Sequence, residues 1–465
     1  MGASPEPKRD DREPPERVSF GEAVRTWARI GLLSFGGPAG QIAVMHRILV
    51  EEKRWVDEAR FLHALGYCTL LPGPEAMQLA TYLGWLLHRT KGGIVAGLLF
   101  VLPGFVALMA LSLVYATLHE VPAIGALFFG LKCAVLALVA DAAVRVGKRA
   151  IRSRGDAVIA ALSFAALLFF DVPFPVVVLV AGLCGYALGR FLPAWAAPAA
   201  GVAAAPVHAS TLDRMDERGE LAHTRPNLAR SVRVAVTCLA LWAALPLTVG
   251  ALLGWHTVYI DEALFFSGAS LVTFGGAYAV LAYVAQQAVG VYGWLAPGEM
   301  LDGLGLAETT PGPLIMVVQF VGMLGAHRAP AGLPPLLGAV LGGVVTVWVT
   351  FVPCFLWIFL GAPFIESLRK NRALASVLSG IMAAVVGVIA NLSVWFALHV
   401  VFTRVATRQV GILHLVVPDL GSADFLAVML CGAALVAILR FRVSPGWVLV
   451  SCALVGLAAR LVIPR

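Results

Sequence analysis

Two stretches that are unfavourable inside a helix interrupt the first two apolar segments of the chain. Residues 34–38 read Ser-Phe-Gly-Gly-Pro, and residues 72–74 read Pro-Gly-Pro. A glycine costs about 1 kcal/mol and a proline about 3 kcal/mol in a helix interior. Residues 273–276 read Thr-Phe-Gly-Gly, and residues 311–313 again read Pro-Gly-Pro. Two matched pairs of interruptions predict two related halves, each with two broken helices.

The spacing of further landmarks supports an internal duplication. Three landmarks recur 239 positions later: Ser34 as Thr273, Trp55 as Trp294, and Pro72 as Pro311. Three others recur 250 positions later: Pro103 as Pro353, Gly130 as Gly380, and Asp141 as Asn391. The second copy has therefore gained 250 − 239 = 11 residues, which we assign to the loop at 325–332. An insertion confined to a loop is what a duplication predicts.

The composition is that of a protein with many membrane-spanning segments. Of its 465 residues, 60% are hydrophobic and only 13% are charged, and the mean hydropathy is +0.86. Soluble domains carry about 25% charged residues. The net charge of +7 does not predict nucleic-acid binding, because the lysines and arginines lie mainly between apolar runs and act as topology signals. The expected surroundings are a lipid bilayer, with no nucleic-acid partner.

The apolar runs predict an all-α polytopic fold with about 12–13 transmembrane segments. The basic loop from Arg145 to Arg154 is placed in the cytoplasm with the N-terminus, and counting crossings from there makes the two repeats inverted. That count treats each broken run as a full crossing. The predicted organisation is a disordered tail (1–17), a first repeat (18–193), a cytoplasmic linker (194–230), an additional helix (231–260), a second, inverted repeat (261–405) and C-terminal transmembrane helices (406–465).

The broken segments are the predicted substrate site. A break inside the bilayer frees backbone N–H and C=O groups that lipid cannot satisfy, so the break must line a cavity enclosed by protein. A helix that starts after such a break presents free N–H groups and the positive end of its dipole, which suit an anion. Plain kinking is the alternative for any single break. Four breaks in symmetric pairs favour convergence at a binding site.

Four ionisable or polar positions are candidates for charge compensation or coupling. Lys132 lies mid-way along its apolar run, where it either serves substrate or coupling or forms a structural ion pair. Glu75 directly follows a break, so it either caps a helix or carries a proton. Asp141 and its counterpart Asn391 complete the predicted coupling set.

Several of these motifs resemble the chromate ion transporter family, in its long-chain type with two homologous halves. The resemblance covers about 20–405 and is carried by residues 34–38, 46–47, 51–55, 71–76, 78–80 and 130–132. It implies export of chromate across the bacterial inner membrane, driven by the membrane potential or a proton gradient, and chromate resistance. Sulfate is a close structural analogue and a candidate competitor. A homodimer is a candidate assembly, and the sequence leaves the oligomeric state open.

The predicted substrate site combines backbone N–H groups, hydroxyls, amides and one ammonium. Its residues are Ser34, Gly36, Gly37, Gln41, Pro72, Gly73, Pro74, Gln78, Lys132, Thr273, Gly275, Gly276, Thr309, Thr310, Pro311, Gly312 and Pro313. No catalytic residue, metal or cofactor is expected. The alternatives are a transporter of sulfate or another oxyanion, an anion channel, and a membrane-embedded reductase. The reductase is disfavoured because the sequence has no Cys-x-x-Cys pair and no haem or dinucleotide motif.

Overall fold

Helices make up nearly all of the structure. A computed structural model describes residues 17–35, 37–118, 121–191, 210–224, 226–274, 277–365, 372–411 and 413–462. Most of the predicted tail and the first part of the predicted linker lie outside these residues. The first half contains α1 (Phe20–Leu33), α2 (Gly37–His46), α3 (Glu58–Cys68), α4 (Glu75–Leu118), α5 (Pro122–Ala150), α6 (Arg154–Phe170) and α7 (Phe174–Phe191).

The second half repeats this order of elements after a connecting region. The connection holds α8 (Thr211–Glu217) and α9 (Leu228–Leu253). The helices that follow are α10 (Val258–Val272), α11 (Ala277–Gln286), α12 (Glu299–Thr309), α13 (Val317–Arg328), α14 (Pro335–Gly361) and α15 (Arg372–Val401). A two-stranded antiparallel hairpin, β1 (Val405–Val410) and β2 (Leu413–Pro418), precedes α16 (Phe425–Leu439) and α17 (Pro445–Val462). Both halves also share a π-helical turn, at Arg47–Glu52 and Gln287–Val291.

Seven of the described helices are long and apolar enough to cross a membrane. They are α4, α5, α7, α9, α14, α15 and α17. Large apolar side chains on their outer faces are exposed, such as Leu179 and Leu252. Because water would disfavour so much exposed apolar surface, these faces suit lipid. The chain is a multi-pass integral membrane protein, as the sequence predicts.

The two broken segments of the first half fold back on themselves as helical hairpins. In hairpin 1 (20–52), Lys53 at the end pairs with Glu22 at the start, at 2.7 Å. In hairpin 2 (58–87), the returning helix leads to His88, whose Nε2 lies 2.9 Å from the carbonyl oxygen of Val18, beside the start of hairpin 1. Helix α4 is interrupted there, since His88 and Arg89 have non-helical backbone angles.

The second half forms the same two hairpins. In hairpin 3 (258–291), the Phe265 ring lies 5.6 Å from that of Tyr292, directly after the hairpin's end. In hairpin 4 (299–328), the first residue, Glu299, receives Arg328 Nη2 at 2.6 and 2.8 Å. Each broken segment therefore returns towards the side from which it started. We use "tips" for the links inside the hairpins, of which the structure describes residues 34–35, 69–74, 273–274 and 310–316.

Glycines at equivalent positions bring further helices against the two central helices α5 and α15. A Cβ on Gly130 of α5 would lie 1.9 Å from the carbonyl oxygen of Cys452 in α17. A Cβ on Gly380 of α15 would lie 2.3 Å from the carbonyl oxygen of Ala181 in α7. Small residues of this kind allow close backbone approach where lipid supplies no hydrophobic driving force between helices.

Gly130→Ala is expected to destabilise the fold by about 1–3 kcal/mol, because the new methyl group overlaps α17. Gly125 is the matched control on the same helix, since nothing lies within 4 Å of the Cβ it would gain. Gly125→Ala is expected to be neutral or to stabilise by up to about 1 kcal/mol. The measurement is the midpoint of thermal unfolding of the two purified variants in detergent. Equal midpoints for both variants would contradict the proposed α5–α17 contact.

Candidate functional site

The tips of the two repeats are joined to each other by backbone hydrogen bonds. The Gly73 N–H of hairpin 2 donates to the carbonyl oxygen of Thr273 in hairpin 3, at 2.8 Å. The Gly312 N–H of hairpin 4 donates to the carbonyl oxygen of Ser34 in hairpin 1, also at 2.8 Å. Because 273 − 34 and 312 − 73 both equal 239, the two bonds are the same contact repeated by the duplication. The four breaks therefore meet in two pairs, each with one break from either repeat.

Two tip residues require glycine for their backbone conformation. Gly73 has φ of +119° and Gly312 has φ of +100°, a region that L-residues with a Cβ rarely adopt. The approach is also close: a Cβ on Gly104 of α4 would lie 2.4 Å from the carbonyl oxygen of Pro311. Helix α4 of the first repeat thus packs on the tip of hairpin 4 through bare backbone.

Both N-terminal and C-terminal ends of helices lie at the tips. Helices α2, α4, α11 and the short 3₁₀ turn that leads into α13 begin there, while α1, α3, α10 and α12 end there. The first turn of a helix leaves N–H groups without intrahelical acceptors, and its dipole places partial positive charge at that end. Four such starts at one place can attract an anion. The predicted donors Gly36, Gly275 and Gly276 lie outside the described residues.

The hydroxyls of the predicted site are engaged within their own helices. Ser34 Oγ donates to the carbonyl oxygen of Ile30, and Thr273 Oγ1 donates to that of Ala269, each at 2.6 Å. Thr309 and Thr310 donate in the same way to carbonyls three residues earlier. In this conformation the hydroxyl hydrogens are committed to the backbone, and their donation to an anion would require these bonds to break.

Two buried side-chain amides donate hydrogen bonds to backbone carbonyl oxygens of the tips. Gln41 Nε2 donates to the carbonyl oxygen of Gly312 at 2.6 Å, which ties hairpin 1 to hairpin 4 a second time. Gln78 Nε2 donates to the carbonyl oxygen of Pro72 at 2.7 Å, within hairpin 2. The Oε1 of Gln78 is buried and has no hydrogen-bond partner among the described residues. Pro74 and Pro313 are also buried in the tips.

Lys132 forms an ion pair with an acidic residue of the opposite repeat. Its Nζ lies 3.2 Å from Asp302 Oδ2, and the same oxygen accepts a hydrogen bond from the Tyr115 hydroxyl at 2.8 Å. Asp302 is almost fully buried in the first turn of α12, at the base of hairpin 4. Eight residues of helix, about 12 Å, separate Asp302 from the tip at Thr310. Lys132 therefore lies at the base of hairpin 4, away from the tip glycines.

The predicted coupling residues occupy three separate places. Glu75 is the first residue of α4 at the tip of hairpin 2, where it interacts electrostatically with Arg149. Asp141 pairs with Arg145 one turn on, at 2.8 Å. Asn391 lines a cavity of about 320 Å³ between α6, α11 and α15. Glu75 lies in a tip itself, and the Asp141–Arg145 pair lies within electrostatic range of Tyr278, in the first turn of α11 beside a tip.

Hairpin 4 contributes a second buried carboxyl group near the tips. Glu308 is at the end of α12 and accepts a hydrogen bond from the Tyr278 hydroxyl, in the first turn of α11. This contact links hairpins 3 and 4. No local sequence pattern indicates this contact, because the tyrosine is thirty positions away in the chain.

The comparison with known proteins identifies the family. The family model described as "Chromate transporter" matches residues 21–186 and 260–457. The chain belongs to the chromate transporter family. The two matches confirm the duplication and the resemblance that the sequence motifs carry, and the second match continues into α17. Membership makes the chain a transporter rather than an enzyme.

Relatives of this chromate transporter family member cover most of its length. A chromate transport protein of Pseudomonas aeruginosa is 34% identical over 85% of this chain and 85% of its own length. A chromate transport protein of Cupriavidus metallidurans is 29% identical over 79% of this chain and 80% of its own. An uncharacterized transporter of Methanocaldococcus jannaschii is 24% identical over 84% and 88%. No solved structure matches the chain.

Proposed function

We propose that this protein is a secondary transporter that exports chromate from the cytoplasm and thereby confers chromate resistance. The observation that carries the proposal is the pair of equivalent bonds, Gly73 to Thr273 and Gly312 to Ser34. With the contact of Tyr278 and Glu308 between hairpins 3 and 4, these bonds support a common site for the four helix starts. Chromate is a tetrahedral dianion, and helix starts with free N–H groups suit such a ligand. The family and its relatives named for chromate transport support the choice of anion.

Alternating access is supported by the arrangement of the hairpins. Hairpins 1 and 2 share one base, where Lys53 meets Glu22 and His88 meets Val18. The base of hairpin 4 holds Glu299 and Arg328. If α4, α5, α6, α7 and α9 each cross the membrane once, the chain crosses it five times between hairpin 2 and hairpin 3. An odd number of crossings places the bases of the two sets of hairpins on opposite sides of the membrane. Hairpins 1 and 2 then open to the cytoplasm and hairpins 3 and 4 to the outside, so rocking one repeat against the other exposes the tips alternately.

The membrane potential supplies the driving force in this proposal. An inside-negative potential favours export of an anion by about 2.3 kcal/mol per charge per 100 mV. Since chromate carries two charges, no separate energy-supplying domain is required. A proton gradient is a second possible source.

The test is uptake of labelled chromate into inside-out vesicles that contain the protein. We expect saturable uptake that rises when the vesicle interior is made positive, because this orientation converts export into uptake. Vesicles from cells without the protein are the control. Saturable uptake only in right-side-out vesicles would overturn the export direction, and uptake that stays linear with concentration would indicate a channel. Stronger competition by unlabelled sulfate than by unlabelled chromate would make sulfate the preferred substrate.

A further inference from the structure

A carboxyl group outside the predicted site is buried without a partner. Glu262 lies in the second turn of α10, is 0% exposed, and neither of its oxygens has a hydrogen-bond partner in the described part of the chain. Its Oε1 would lie 3.0 Å from a Cβ on Gly325 of α13, and its Oε2 would lie 3.1 Å from a Cβ on Gly342 of α14. The group is therefore enclosed between three helices, against two glycines.

Among the described residues, the surroundings of Glu262 offer no free positive charge. The nearby guanidinium of Arg328 is engaged by both oxygens of Glu299 and by the carbonyl oxygen of Trp294. Helix α14 has no ionisable residue between 335 and 350. On α10, on α13 and beside Trp294, the other titratable groups are Tyr259 and Asp261, His327, and Tyr292. The neighbouring helices α9 and α11 add Arg230, Arg233, Cys238, Tyr278 and Tyr283. An ionised carboxylate without a partner costs several kcal/mol in such a place, so the neutral, protonated form is favoured.

The first repeat shows that packing does not require a carboxyl group here. With the offset of 239, Glu262 corresponds to Ala23 and Trp294 to Trp55. The same offset relates Gly325 to Leu86, because Gly325 lies inside α13, before the inserted residues. Ala23 and Leu86 are both buried. At the two equivalent positions the first repeat has a buried alanine and a buried leucine, whereas the second repeat has a buried glutamic acid and a glycine. The fold accepts either pair of residues, and only the second can bind a proton.

We propose that Glu262 is a proton-binding site that holds its proton in this conformation and releases it to water when α10 separates from α13 and α14. The proposal rests on the proposed transport function, because it names the residue that would link a proton gradient to anion movement. Helix α10 supplies the mechanical link: it ends at Thr273, whose carbonyl oxygen accepts the Gly73 N–H at the tips. A shift of α10 that opens its base would therefore also disturb the tip contact.

The test compares wild type, Glu262→Gln and the double variant Glu262→Ala/Gly325→Leu in proteoliposomes with chromate. If one proton is exchanged for each anion, a gradient of one pH unit changes the wild-type accumulation ratio by about tenfold at constant membrane potential. Both variants are expected to lose this dependence. The double variant reproduces the residue pair of the first repeat, so a normal size-exclusion profile separates loss of coupling from misfolding.

Infrared spectroscopy gives a readout that does not depend on transport. The difference spectrum of the wild type is expected to contain the carbonyl stretch of a protonated carboxylic acid. The same spectrum of Glu262→Gln is expected to lack this band. A variant that keeps the full pH dependence, or a spectrum without that band, would overturn the assignment. Wild-type protein that shows the band but moves no chromate under any gradient would instead contradict the proposed function and leave Glu262 as a proton site.

Discussion

Gly312→Ala is expected to lower the initial rate of chromate uptake by at least about tenfold, because the tip of hairpin 4 cannot accommodate a side chain. The backbone of Gly312 has φ of +100°, which is strained for alanine. The added Cβ would also lie 3.2 Å from Cα and 3.4 Å from N of Gly104 on α4, and backbone atoms cannot move aside cheaply. Both effects push the Gly312 N–H away from the Ser34 carbonyl oxygen.

The equivalent variant, Gly73→Ala, tests the same contact on the other side of the site. Its Cβ would meet side-chain atoms, Gln78 Nε2 at 2.9 Å and Cys354 Sγ at 3.0 Å, which can yield more easily than backbone. We therefore expect a loss in the same direction but smaller. Gly66→Ala in α3 is the control, since nothing lies within 4 Å of its Cβ. Rates are compared per amount of folded protein. A Gly312→Ala rate equal to that of Gly66→Ala would mean that the tips do not limit transport.

The convergence of the tips could be predicted from the sequence, whereas the partner of each tip could not. Matched interruptions at an offset of 239 indicate that Ser34 is equivalent to Thr273 and Gly73 to Gly312. The equivalence of these residues does not predict a hydrogen bond between hairpin 1 and hairpin 4, because this contact depends on how the two repeats are placed in space. The observed bonds from Gly312 to Ser34 and from Gly73 to Thr273 are therefore information that only the structure supplies.

The hairpin shape of the broken segments is a second feature that the pattern of apolar residues does not predict. An interrupted run of nearly thirty apolar residues has the same sequence pattern whether the chain crosses the membrane or turns back within it. Helix length is the signal that distinguishes the two. The 14 residues of α1 span only about 21 Å, less than the roughly 30 Å of a hydrocarbon core. The ion pair between Glu22 and Lys53 agrees with this shortness.

The hydroxyls and Lys132 show where residue type alone misleads. Serine and threonine in apolar helices have a nearby acceptor in the carbonyl three or four residues earlier, and Ser34 and Thr273 both use it. For Lys132 the sequence left open a substrate role or an ion pair. Its partner Asp302 is 170 positions away, in the other repeat, and no local pattern joins them.

Lys132→Met is expected to destabilise the protein by about 3–5 kcal/mol, because it leaves Asp302 as a buried carboxylate with only the Tyr115 hydroxyl. The pair is well shielded, since the side chains of Lys132 and Asp302 are 26% and 5% exposed. The double variant Lys132→Met/Asp302→Leu is expected to recover most of that stability, since an apolar pair of similar volume replaces a buried ion pair at little cost. Thermal unfolding in detergent measures both effects.

The exposed pair Arg29–Glu52 is the control for this comparison, and Arg145→Ala is the intermediate case. The side chains of Arg29 and Glu52 are 49% and 37% exposed, so Arg29→Ala is expected to cost at most about 1 kcal/mol. Arg145→Ala is expected to cost more than the about 0.3–0.5 kcal/mol of a pair one helical turn apart, because Arg145 also attracts the buried Glu308. A Lys132→Met variant as stable as Arg29→Ala would mean that the Lys132–Asp302 contact carries little energy.

Transport by the double variant then decides between the two roles of Lys132. Since the ion pair lies at the base of hairpin 4, about 12 Å along α12 from the tip, we expect chromate uptake to return together with stability. Stability without uptake would show that the ammonium acts on the anion as it passes this base. In that case the route to the tips would run beside Lys132, and its pairing with Asp302 would be the resting state of a gate.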